Sequence, residues 1–272
     1  MGWFRSLGTL GVALALTAGC GGSPDTRPVG TTEPVEGADG PNGSDPPEST
    51  SDERTPPSTT SAATPPARSE WEKETAWAKA HGVLIETGKT TVIGKRRGSL
   101  ARSMTYEDTL VVFRADGTIV RFAATTKPAQ MPNPSSSTVP DVDKDGRKDL
   151  GIVRPGVYRA VGDVTFGLPG HERTAFKIVT EEGEGGLPAW RDLSGDGVFS
   201  SSERTTSEER GYTISGIYIH YGFDPAGTTV GDGTYVGPWS VGCQNVLYDE
   251  LDAFVEAVGG AKATFRYAIV DD

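Results

Sequence analysis

Apolar and polar positions divide the chain into two unequal parts. Between residues 21 and 69 there is no aromatic residue and no aliphatic larger than valine. From Trp71 onward, apolar residues gather in short runs separated by glycine and acidic turns. Within this second part, the runs predict strands over 110–114 and 118–124 on either side of Ala115-Asp116-Gly117, a composition suited to a hairpin turn. Similar runs predict strands over 156–161, 175–180, 212–220 and 264–270. Helical spacing occurs twice. Residues 71–81 predict a short helix closed by Gly82, with His81 as a surface or capping residue. Leu247, Leu251, Phe254, Val255 and Val258 share one face of a second helix ended by Gly259-Gly260. The expectation is a mainly β, α+β domain over residues 70–272, without internal repeats and large enough to bury a core.

The start of the chain carries an address. Arg5 precedes an apolar run over 7–16, too short to cross a bilayer core of roughly 30 Å, and Thr17-Ala18-Gly19 leads to Cys20. This resembles a bacterial lipobox, which implies a lipoprotein signal peptide over 1–19, lipidation of Cys20 and a membrane-anchored protein of the cell envelope facing the periplasm or exterior. The alternative is an ordinary secretory signal with an incidental cysteine; either one exports the chain. No other apolar run reaches the roughly 20 residues of a membrane span. Ten of the 19 prolines fall between Pro24 and Pro66, among Ser, Thr, Gly and acidic residues. Such a segment buries too little apolar surface to offset its conformational entropy, so residues 20–69 are expected to form a disordered tether.

Composition removes several function classes. Asp and Glu number 37 against 26 Lys and Arg, for a net charge of −11, which argues against the basic face that nucleic-acid binding requires. With two cysteines, Cys20 and Cys243, there is neither a disulfide scaffold nor an all-cysteine zinc site.

Cys243 has no second cysteine to bond with inside the exported domain. It is either a small buried hydrophobe or a working thiol. Ser240-Val241-Gly242-Cys243-Gln244-Asn245 reads as a small-residue turn leading into the late amphipathic helix. There, unpaired N–H groups and the positive end of the helix dipole would favour thiolate, and the N–H of Gly242 could help to cradle an oxyanion. A cysteine nucleophile needs a base within reach. Of three histidines, His220, at the end of the apolar run 217–221, suits that role best. His171, just before the run containing Phe176, is either a satisfied loop histidine or part of the site.

Gly216-Ile217-Tyr218-Ile219-His220 and Trp239-Ser240-Val241-Gly242-Cys243-Gln244, together with Arg191-Asp192-Leu193-Ser194-Gly195-Asp196, resemble motifs of the L,D-transpeptidase (YkuD) catalytic domain family, in a divergent branch. Tyr106-Glu107-Asp108-Thr109 and Pro155-Gly156-Val157-Tyr158 fit the same order. The resemblance covers roughly residues 106–258, and the cysteine box is its specific part. It implies a β-sandwich or mixed sheet with a helix after the cysteine, Cys243 as nucleophile and His220 as general base, with the imidazole oriented by the Tyr221 carbonyl. It further implies that Ser240, Gly242 and Gln244 shape the turn or oxyanion site, and that Gly222, Trp239, Asn245 and His171 line the substrate. The implied substrate is a peptidoglycan stem peptide, cleaved between an L-residue and a D-amino acid through a thioester on Cys243, with no cofactor needed for catalysis. The chain departs from the family pattern at Val241, where histidine is frequent, at Asn245, where arginine is frequent, and in the longer stretch from His220 to Cys243.

Two acidic loops read as calcium sites. Asp141-Val142-Asp143-Lys144-Asp145-Gly146, with Asp149 beyond, has alternating carboxylates and a glycine turn, but Ile152 in the twelfth position. Asp192-Leu193-Ser194-Gly195-Asp196-Gly197 has Glu203 at the twelfth position. Alternate oxygens in a tight loop converge on one hard cation; the other reading is a solvated acidic turn. A papain-like peptidase is disfavoured because those families place Cys before His. The alternative of a different class is a non-catalytic, calcium-stabilised, wall-binding lipoprotein.

Overall fold

The computed structural model describes residues 69–129, 139–166, 172–183, 185–222 and 240–272. The expected signal peptide, Cys20 and all of the expected tether except Ser69 lie outside the described residues, as do His171 and Trp239. In chain order the elements are α1 (Glu70–Ala80), β1 (Thr91–Arg96), β2 (Asp108–Phe113), β3 (Ile119–Thr125), β4 (Gly151–Val153), β5 (Gly156–Phe166), β6 (Arg173–Val179) and β7 (Leu187–Arg191). They continue with α2 (Ser201–Arg210), β8 (Thr213–Ile214), β9 (Tyr218–Tyr221), β10 (Gln244–Val246), a 3₁₀ turn (Tyr248–Glu250), α3 (Leu251–Ala257) and β11 (Thr264–Asp271). No helix among the described residues is long and apolar enough to cross a membrane.

The domain is mainly β with a few helices, as the pattern predicts, and of the expected sandwich or mixed sheet it is a mixed sheet closed into a barrel, not specifically a sandwich. Eight strands close in the order β1-β11-β5-β6-β9-β10-β3-β2, and β4, β7 and β8 form a separate sheet. The closure has a local cause. β1 pairs in parallel with β11 on one side and antiparallel with β2 on the other, so both ends of the sheet meet and no edge remains. The barrel is mixed, since β9 and β10 also run parallel.

The barrel interior is packed with Val92, Leu110, Phe122, Phe176, Ile219 and Tyr267, joined by Phe254 of α3, which meets Phe122, Phe176 and Phe265 edge to face. Truncating such a buried ring costs about 3–5 kcal/mol. On the outside, α1 lays Trp71, Trp77 and Ala78 over Ile93, Val111, Phe113 and Val270. The N-terminus of α1 is held by a reciprocal cap: Ser69 Oγ accepts from Glu72 N and Glu72 Oε2 from Ser69 N. His81 caps its C-terminus, with Nδ1 2.8 Å from the Trp77 carbonyl.

The run 212–220 predicted as one strand is two. β8 belongs to the small sheet and β9 to the barrel, and the chain changes sheets at Gly216, whose φ of 70° breaks extended pairing. The small sheet is tied to the barrel by buried Arg96, which donates to Thr126 Oγ1 at 3.0 Å and to the Val153 carbonyl of β4 at 2.9 Å.

Candidate active site

β9 and β10 lie side by side with Ile219 opposite Gln244 and His220 opposite Asn245. Side chains alternate along strands. Ile219 and Val246 point into the barrel core, so His220 and Asn245 share the opposite face, and Cys243 immediately precedes β10.

His220 is buried, at 4% exposure. Its Nδ1 lies 2.6 Å from the Tyr221 carbonyl oxygen. A carbonyl only accepts, so Nδ1 carries the proton and Nε2 holds the lone pair. Nε2 is buried without a hydrogen-bond partner. Phe166 stacks on the ring, with centroids 3.9 Å apart. Burial pushes the imidazole down from 6.5 to about 4, partly opposed by the Tyr221 carbonyl, so the ring is neutral at pH 7 and able to accept a proton.

Cys243 is fully buried and in no disulfide; its Sγ lies 3.8 Å from the Gly216 carbonyl, at the point where the chain passes from small sheet to barrel. The expected placement of the thiol at a helix N-terminus is corrected. Gln244–Val246 form β10, hydrogen-bonded between β9 and β3, and α3 begins only at Leu251 after the 3₁₀ turn. The residues after the cysteine are paired as a strand, so the N-terminus of α3 does not begin at the sulfur. Those residues pair because Gln244 and Val246 face inward, where Gln244 Oε1 accepts from Tyr267 Oη at 3.1 Å.

The turn before the cysteine is closed by its own side chains. Ser240 Oγ donates to the Cys243 carbonyl at 2.9 Å and accepts from Gly242 N at 3.3 Å. Gln244 Nε2 donates to the Gly242 carbonyl, and Asn245 Nδ2 to that of Cys243, both at 3.1 Å. Gly242 N–H is thus committed to the turn instead of facing outward as an oxyanion donor. Asn245, expected at the substrate, is 1% exposed and holds the turn instead. Gly242 has a φ of 141°, and a Cβ there would lie 2.8 Å from the Gly151 carbonyl of β4. Gly222 is equally constrained: a Cβ would come within 1.7 Å of Tyr106 Oη. Two aromatic residues are therefore added around the site, Phe166 and Tyr106. Tyr106 lies in a stretch that fits the family resemblance, while nothing in the sequence marks Phe166.

The acidic loops differ from one another. Asp141, Asp143 and Asp149 each offer an oxygen within 4.8 Å of the others, the one such group among the described residues. Asp145 stands apart, bound to Arg147 Nε at 2.7 Å. In the second loop the carboxylates serve the chain. Asp192 accepts from Asp196 N and Gly197 N, Asp196 from Val198 N, and Glu203 from Ser194 N and Ser200 N. Ser194 Oγ donates to Asp192 at 3.4 Å. Burial raises the Asp192 carboxyl, partly offset by the Gly197 amide.

Comparison with protein-family models, curated proteins and solved structures finds no match to the chain.

Proposed function

We propose that this protein is a lipid-anchored, cell-envelope acyltransferase of L,D-transpeptidase type, acting on peptidoglycan stem peptides as transpeptidase or carboxypeptidase. The observation that carries the reading is the state of His220: Nδ1 held by the Tyr221 carbonyl and Nε2 bearing an unused lone pair, on the strand beside the one that Cys243 precedes. In the proposed reaction Nε2 takes the thiol proton, and sulfur attacks the carbonyl of the L-residue that precedes a D-amino acid. The tetrahedral intermediate collapses to a thioester on Cys243. The D-residue leaves as its amine with the proton returned by His220, and an acceptor amine or water then releases the acyl group. The Cys–His pair and the order of the motifs support this family reading; Cys20 and the tether composition support the anchor.

The test is incubation of the protein with tetrapeptide muropeptides, calcium supplied, following D-alanine release and mass increase at Cys243. Absence of both product and adduct across donors overturns the reading. One observation favours the second reading, a non-catalytic wall-binding protein: Cys243 is fully buried. On that reading, peptidoglycan sediments the Cys243→Ala variant as well as it does the parent, and neither preparation turns over.

A further inference from the structure

Among the described residues, two carboxylate oxygens are buried without a hydrogen-bond partner, Oε2 of Glu250 and Oδ1 of Asp149, and only the second belongs to a cluster of carboxylates. Asp149 is 1% exposed, and its Oδ2 is taken by Val142 N at 2.6 Å. Arg191 and Arg147 both feel the charge of Asp149, yet neither donates to Oδ1. Arg191 Nη1 reaches the Asp149 backbone carbonyl at 3.1 Å and Nη2 the Thr213 carbonyl, while Arg147 holds Asp145 and crosses to the carbonyls of Leu193 and Ser194. Instead, Asp149 meets like charge, forming one group with Asp141 and Asp143 within 4.8 Å. Without a cation, this arrangement sets one desolvated carboxylate beside two others.

We infer that Asp141, Asp143 and Asp149 hold a calcium ion. The donors are all hard oxygens presented by a short loop, which suits calcium better than magnesium, since magnesium demands a strict octahedron and gives up water reluctantly. The second acidic loop, the fuller match by spacing, is the weaker candidate because both oxygens of Glu203 are taken, Oε2 by the N-cap Ser200 of α2 and Oε1 by Ser194 N. The inference stands independently of the enzyme reading, yet it touches the same region. Asp149 lies two residues before Gly151, whose carbonyl backs the Gly242 turn. The ion therefore sits at the root of the strand that supports the cysteine.

The experiment uses the full chain in detergent, stripped with EDTA and titrated with CaCl2, MgCl2 or NaCl at matched ionic strength. Melting temperature and heat of binding are the readouts. Calcium is expected to raise the melting temperature saturably, and magnesium at the same concentration to do so much less. Asp143→Asn, at an exposed position, leaves the calcium-free melting temperature unchanged and weakens binding by about tenfold or more. Asp149→Asn abolishes the calcium response without lowering the calcium-free melting temperature, because it removes a repelled charge. Glu203→Gln binds calcium as the parent does. The site is overturned by absence of a saturable calcium response up to about 10 mM, the weak limit of such sites. An equal response to magnesium, unchanged affinity in Asp143→Asn, or loss of affinity in Glu203→Gln overturns the assignment as well.

Discussion

Phe166 and His220 lie ring on ring, their planes 22° apart and centroids separated by 3.9 Å. Phe166 is the last residue of β5, beyond a bulge between Val161 and Val164 where Asp163 takes a φ of 65°. The stack keeps water from the imidazole, and burial is the leading cause of its lowered pKa. Phe166→Ala is expected to raise the His220 pKa from about 4 towards 6.5, by about one unit or more, read from the ring-proton shifts in an NMR titration. An unchanged titration would show that other walls of the site do the desolvating.

The same burial makes stability depend on pH. His220 titrates near 4 in the fold and near 6.5 in the unfolded chain. Between those values the unfolded state binds more protons, so the contribution of His220 is complete above pH 6.5 and is lost as pH falls towards 4. The separation corresponds to roughly 3 kcal/mol. Asp149, pushed up to about 6, acts with the opposite sign, so the difference between parent and His220→Gln is the informative quantity. Urea unfolding at pH 7 and pH 4.5 should show a steeper loss for the parent. Parallel losses would contradict the neutral, buried imidazole.

Most barrel strands were legible because their apolar runs face a core. The hairpin at 115–117, β5, β6 and β11 all fall where the pattern places them. β1 escaped because Thr91-Val92-Ile93-Gly94-Lys95-Arg96 has only two large apolar side chains. Its charged residues are buried by tertiary partners, Lys95 on Glu74 at 2.7 Å and Arg96 on Thr126 and Val153. α2 escaped because Ser201–Arg210 has no apolar stripe; its caps define it. Three-residue β10 has the pattern of an approach to a helix, since the periodicity of Leu247–Val258 gives no sign of where winding starts. His220, Cys243 and the serine turn could be found by motif, but the depth at which they are buried could not, because burial depends on strands distant in sequence.

Cys243 and His220 also make a kinetic prediction that needs no substrate. If Nε2 takes the thiol proton, alkylation by iodoacetamide at pH 7 should be slower in His220→Gln by about tenfold or more, in the range of general-base effects. Because Cys243 is buried, the parent itself should react more slowly than a small free thiol. Equal rates in parent and variant, with both folded by circular dichroism, would remove His220 from that role.

Gly242 offers a test of the cysteine turn. Its φ of 141° disfavours any side chain, and a Cβ would press on the Gly151 carbonyl at 2.8 Å and on Ile214 and Ile217. Backbone strain alone is worth about 1–3 kcal/mol. Gly242→Ala is therefore expected to lower unfolding free energy by at least that amount and to displace the thiol from the Gly216 carbonyl. A variant as stable as the parent would mean that β4 yields easily. The support assigned to it would then be slight.

Glu203 separates two readings of one carboxylate. As the third helical residue of α2 it returns Oε2 to Ser200 N at 2.8 Å, while Ser200 Oγ accepts from Glu203 N at 3.3 Å. Glutamine keeps the reciprocal cap with Ser200 but turns an amide N–H towards Ser194 N, so Glu203→Gln should cost about 1–3 kcal/mol for the lost acceptor, and Ser200→Ala about 1 kcal/mol. Neither effect should depend on calcium, because on this geometry the glutamate acts as a cap. Denaturant midpoints with calcium and with EDTA supply the check. If Glu203→Gln were destabilising only in calcium, its carboxylate would be a cation ligand, and the capping bonds would be the arrangement of the ion-free loop.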